Sequence, residues 1–354
     1  QLDSPQTSGV IVFWFAVACS VSNDALLRSS ATLGALDCLI IVREKDMSWR
    51  KPLFMIGLAL GGALFLQQVW EIYSATIHER LHLSQPAWLW VALSFVTVAY
   101  FVQMLSWSLI MQYRGVSPGL SLTVRGYFLS FLPRYIPGSV WGYWSRSEWL
   151  KQYCGINYAD SALVSVLETL AVVLTATAFA SGWLSLRVAG LGGLALGLAS
   201  AGMLVFTWLG LPRLVFWFGQ QQGESSLRNG SSASFRVWSA VVVLYLLLWI
   251  LHGCSVYFVS QAVMFAPLVD LPGAVFVMSS AWLIGFIAIA VPAGIGVREL
   301  TLSTLLSSQF GLLPWQAGLV AVVSRLVLIL AEVGWLLVGV VLHVYARWKN
   351  SKGG

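Results

Sequence analysis

The chain has 354 residues, of which 58% are hydrophobic and only 10% charged, with a formal net charge of +6. Soluble domains carry about 25% charged residues, so a water-soluble fold is excluded and an integral membrane protein with several spanning helices is indicated. The basic residues are scattered between apolar runs rather than gathered on one face, which excludes a nucleic-acid partner and turns the charge into a topology signal.

Residues 1–46 read differently from the rest. Residues 10–21 form an apolar run too short to span a membrane, followed by a polar stretch and then VREKD at 42–46. Met47, Ser48, Trp49, Arg50 and Lys51 resemble a membrane-protein start, with a basic pair just before a long apolar run. Residues 1–46 are therefore expected to be an upstream extension or processed segment without a function of its own, and residues 47–352 the membrane domain.

Six spans are expected, over residues 53–74, 87–112, 158–183, 188–211, 237–264 and 314–345. Between the second and third lies an interrupted unit. An apolar segment at 120–132 is broken at Pro133 and again at Pro137 and Gly138, and a short helix follows over 140–153. A second interrupted unit covers 275–290, a break at 292–296, and 299–310. Proline removes a backbone donor and glycine turns without a side-chain penalty. In a bilayer such broken backbone survives only where protein or a water-filled cavity satisfies it. Each unit is read as a re-entrant hairpin, giving an all-α polytopic membrane protein of about six spans plus two hairpins. The Gln/Gly/Ser-rich stretch within 213–236 reads as a flexible linker.

The two units echo each other. Pro137 is followed by Gly155, Pro292 by Gly311 at nearly the same distance, and each glycine precedes a long apolar run. The repeats are expected over about 120–183 and 274–345. With the hairpins counted as non-crossing, Arg50, Lys51, Arg114, Lys151, Arg213, Arg228, Arg236, Arg347, Lys349 and Lys352 fall on one side, which the positive-inside rule makes cytoplasmic. Both ends of the membrane domain are then cytoplasmic. Three spans separate the hairpins, so they enter from opposite faces as an inverted repeat, an arrangement that secondary transporters use around a midplane site.

Few ionisable residues interrupt the apolar segments: Arg146 and Glu148 after the first break, Glu168, Arg298 and Glu299 after the second break, and Arg325 and Glu332. A charge at membrane depth costs about 2.5–3.5 kcal/mol on insertion scales, so such residues mark a site, a pathway or a buried ion pair. Arg325 and Glu332 share a helix face, whereas the neighbours Arg298 and Glu299 point about 100° apart and do not satisfy each other. Glu299 is expected to pair with Arg325, and Arg298 to face a bound anion or Glu168. Arg298 and Arg146, with Gly294, Gly296 and Gly138 at the breaks and Arg134 as a further contributor, would bind an anionic head group at the N-termini of half-helices. Glu299, Arg325, Glu332, Glu168 and Glu148 would hold or switch a gate, and Pro292 and Pro137 set the breaks. Trp141, Tyr143 and Trp144 either line the path or anchor the interface.

No cofactor or metal is expected: Cys19, Cys38, Cys154 and Cys254 form no C-x-x-C pair, and His78, His82, His252 and His343 show no ligand spacing. There is no G-x-S-x-G, no P-loop and no H-E-x-x-H, so no enzyme is expected.

The segment VPAGIGVRE at 291–299, followed by a short helix, Gly311 and a span with Arg325, resembles the second signature of the lysylphosphatidylglycerol synthase transmembrane-region family, flippase-like integral membrane proteins. The stretch LPRYIPGSVWG at 132–142, with Arg146, Gly155 and Glu168, resembles the first. The resemblance covers about residues 50–345. It implies a domain that moves lipids between leaflets, alongside a soluble synthase domain in the bifunctional members. These residues contain nothing like that soluble domain, so a stand-alone member is expected, in a prokaryotic plasma (inner) membrane. Its partners would be membrane lipids. The alternative is a non-transporting partner of a lipid- or glycan-modifying enzyme.

Overall fold

The computed structural model describes residues 85–131, 133, 141–213, 232–263, 269–288 and 291–352, with a few helical positions among 62–70. Among the described residues every regular element is helical: α1 (Ala87–Tyr113), α2 (Leu120–Leu129), α3 (Trp141–Cys154), α4 (Tyr158–Arg187), α5 (Gly190–Val205), α6 (Ser232–Val263), α7 (Leu271–Ile287), α8 (Val297–Phe310) and α9 (Pro314–Lys352). Five stretches are long and apolar enough to cross a membrane: Ala87–Tyr113, Tyr158–Arg187, Gly190–Arg213, Phe235–Val263 and Pro314–Lys349. They coincide with five of the six expected spans. Of the sixth, 53–74, only the few helical positions among 62–70 are described, and the extension 1–46, most of the 213–236 linker and the first break with Arg134, Pro137 and Gly138 lie outside the described residues.

The core forms around α6, with 61% of its apolar stretch buried, against 11% for α5. The helices α1 and α6 run antiparallel, with Trp88 stacked on Phe258 at one end and Tyr113 packed on Trp238 at the other. Trp107, Trp238, Trp249, Tyr127 and Tyr245 are the largest wholly buried side chains. Burying such rings packs the helices tightly, but each leaves a polar atom needing a partner. Trp249 donates to Thr175 Oγ1 at 3.1 Å, and Trp238 to the Thr207 carbonyl at 3.0 Å. That carbonyl lies in a π-helical turn, Phe206–Gly210, at the end of α5. Such a turn shifts the i→i−4 ladder by one residue, and here the carbonyl serves a neighbouring helix.

Two pairs of short helices fold back on themselves. In the first, the Trp149 ring lies against Gly126, and Arg146 Nε donates to Ser130 Oγ at 2.9 Å, so α3 returns antiparallel along α2. In the second, Phe310 lies against Gly273 at one end and Gly294 against Gly285 at the other, so α8 returns along α7. A Cβ on Gly126 or Gly273 would collide with these rings, which is why glycine stands there. At 1.5 Å per residue α2, α3, α7 and α8 are roughly 15–25 Å long, short of a hydrocarbon core of about 30 Å.

The second halves of the two units match closely. The helices α3 and α8 each have 14 residues. Each ends at a left-handed glycine, Gly155 (φ 67°) or Gly311 (φ 69°), and a three-residue link leads into the long helix α4 or α9. Glycine accepts that conformation without a Cβ penalty, so it stops both helices at the same point. The first halves differ in length, 10 residues in α2 against 17 in α7. The start of α7 falls at Leu271 rather than 275, because Asp270 caps it by accepting from the Gly273 N–H at 2.8 Å.

Candidate functional site

The second break is built from four successive features. The helix α7 closes with the Ala288 N–H bonded to the Ile284 carbonyl, and single turns then link Val291 to Ala288 and Gly294 to Val291. Ala293 (φ 52°), Gly294 (φ 66°) and Gly296 (φ 83°) all lie in the left-handed region. For Ala293, with its Cβ, this stores on the order of 1–2 kcal/mol of strain. Gly294 has a second role: a Cβ there would sit 3.0 Å from the Gly285 carbonyl oxygen. Gly294→Ala is therefore expected to cost about 2–3 kcal/mol in thermal unfolding, and Gly311→Ala, with open space around it, only about 1 kcal/mol.

The carboxylate of Glu299 turns back to the break. Its Oε2 accepts from the Gly296 N–H at 2.6 Å, as the N3 acid of a capping box does. Its Oε1 faces Arg325 Nε at 3.4 Å, an ion pair without hydrogen-bond geometry. The expected Glu299–Arg325 pair is therefore present, with exposures of 2% and 10% for the two side chains. The negative charge at the N-terminus of α8 is supplied by the protein itself, and Gly294 and Gly296 hold the hairpin and the cap.

Arg298 has different surroundings. It is half-buried, its Nη2 rests on Met278 Sδ at 3.4 Å, and among the described residues no carboxylate lies within pairing distance. It borders a small cavity of about 10 Å³ also lined by Met278, Glu299, Ser324 and Arg325. The space as it stands has room for about one water, so a larger anion would enter only as the lining side chains move. Ser324 Oγ is buried there without a partner. Two arginines against one glutamate leave the lining with a net charge of +1.

Glu168 does not pair with Arg298. It pairs with Arg146, and both are almost fully buried. Tyr127 donates to Glu168 Oε1 at 3.2 Å, the Arg146 guanidinium lies 4.2 Å from the Tyr127 ring centre, and Trp107 and Tyr143 flank it at 5.6 and 5.8 Å. Arg146 is thus fully engaged by protein groups. Glu332 accepts from Tyr100 OH at 2.7 Å, and Glu148 accepts from Tyr158 OH at 2.7 Å outside both buried clusters. Trp144 stacks on Tyr158. Phe131 touches both Tyr100 and Tyr127, at ring distances of 5.4 and 5.6 Å, and so joins the two clusters.

The residues missed from sequence are Tyr100, Tyr127, Ser130, Ser324 and Met278. The usable signal was tyrosine and serine within apolar helices, whose hydroxyls need partners once buried.

The fold and the site define a polytopic helical integral membrane protein with two buried charge clusters, one of them at a helix break. The chain belongs to the lysylphosphatidylglycerol synthase TM region family, which matches residues 54–348. That relates it to lipid modification or lipid movement. No curated protein matches it significantly.

Proposed function

We propose that the protein moves lipids with an anionic head group, of phospholipid or polyprenyl-phosphate type, between leaflets. The observation that carries this reading is Arg298, a cation without a carboxylate partner among the described residues, beside a cavity of net positive charge. An uncompensated cation at membrane depth is costly, and a phosphate head group would neutralise it while its tails stay in the bilayer. The short antiparallel pairs α2/α3 and α7/α8 act as re-entrant hairpins in this reading. The three spans α4, α5 and α6 lie between them, so the hairpins enter from opposite faces, and the basic loops face the cytoplasm of a prokaryotic cell. Arg146 drops out as a head-group ligand, because Glu168 and Ser130 already occupy it.

The test is translocation of a fluorescent anionic phospholipid in vesicles carrying the purified protein. Arg298→Ala is expected to slow it by about tenfold or more while the thermal unfolding profile is kept. Wild-type translocation by Arg298→Ala defeats the assignment. Wild-type protein inert in vesicles, yet copurifying with a lipid-modifying enzyme, favours the non-transporting alternative.

A further inference from the structure

A second basic cluster lies on α9 well away from the cavity. His343 follows Arg325 by 18 positions, roughly 27 Å along the helix. There Trp149 on α3 and His343 on α9 approach to 5.7 Å between ring centres. The Arg125 guanidinium on α2 lies 5.9 Å from the Trp149 ring, and Arg347 follows His343 by four positions, one turn further along the same face of α9. No carboxylate among the described residues pairs with either arginine. His343 is 8% exposed, yet its Nδ1 has no hydrogen-bond partner, and neither has the buried Trp149 Nε1. Two orphaned buried nitrogens therefore lie beside two cations that face outward, the exposed Arg347 and the half-buried Arg125, whose Nε donates to the Ser121 carbonyl at 3.1 Å.

We propose that α2, α3 and α9 form a second anion site, taking the phosphate of an anionic lipid head group at the membrane surface, with Arg125 and Arg347 as its cations and His343 completing it. Its setting selects a lipid over free phosphate. On α9 the apolar side chains Val341, Val344 and Tyr345 are exposed up to the point where Arg347 begins the basic tail, so an acyl chain can lie along the helix below the phosphate. The site would hold a lipid at the entrance of the bundle rather than carry it across.

The experiment uses the full chain with Arg298→Ala as background, which takes the cavity lining from a net charge of +1 to zero. Short-chain phosphatidylglycerol and inorganic phosphate are titrated separately and bound ligand is counted by native mass spectrometry. Saturable lipid binding is expected, weakened about tenfold or more by Arg125→Gln with Arg347→Gln. The control Lys151→Gln with Lys349→Gln removes the same charge outside the cluster and should leave affinity within about twofold. Unchanged binding in the arginine variant, or an equal loss in the control, overturns the site. Inorganic phosphate binding as tightly as the lipid overturns the lipid assignment.

Discussion

Glu168→Leu is expected to destabilise the protein by about 3–5 kcal/mol, because it leaves the Arg146 guanidinium buried without its counter-charge. The Arg146 side chain is 3% exposed, so water does not replace the lost carboxylate. The ring faces of Tyr127, Trp107 and Tyr143 remain, but a cation–π contact offsets only about 0.5–2 kcal/mol. Tyr127 OH also loses its acceptor. The double variant Arg146→Met with Glu168→Leu removes both charges and should recover most of the loss. A remaining loss of about 1 kcal/mol should persist for the hydrogen bond from Tyr127 to Glu168 that the variant removes. Unfolding in detergent, followed by tryptophan fluorescence, measures both variants. Wild-type stability in Glu168→Leu would mean that the pair does not join α3 to α4.

The parts of the fold that were legible are those fixed by composition. Apolar length located α1, α4, α5, α6 and α9 to within a few residues, except where α6 and α9 continue past the apolar stretch into polar turns. The second break was legible because Pro292, Gly294 and Gly296 punctuate an otherwise unbroken run. Glu299 and Arg325 were legible as partners because the break leaves each of them few alternatives. Arg146 with Glu168 was not, since their pairing depends on how α3 packs on α4, which periodicity does not specify. Tyr100 and Glu332 are 232 positions apart, and only the packing of α1 against α9 brings them to 2.7 Å. Apolar patterning says that a residue is inside, but which interior groups meet follows from helix-pair geometry. The roles of Gly285 and Gly294 were hidden for the same reason. Their mutual approach is a property of two helix ends, not of either one.

Glu299 carries two duties, and two substitutions separate them. Glu299→Gln keeps an acceptor for the Gly296 N–H but removes the charge facing Arg325, whereas Glu299→Leu removes both. The leucine variant loses a cap of about 1 kcal/mol and leaves two arginines beside one cavity without a counter-charge, so a total of about 3–5 kcal/mol is expected. The glutamine variant should fall short of that by about the worth of the cap. Both raise the charge of the cavity lining from +1 to +2 by removing its one carboxylate. If the cavity binds an anion, both should retain copurified anionic lipid more strongly than wild type, even though both unfold more easily. A purely structural ion pair predicts lower stability with no gain in bound lipid, so mass spectrometry of retained lipid beside a melting curve decides between the two roles. Glu299→Gln is the sharper variant, because with the cap kept, any added lipid reports on charge rather than on a loosened break.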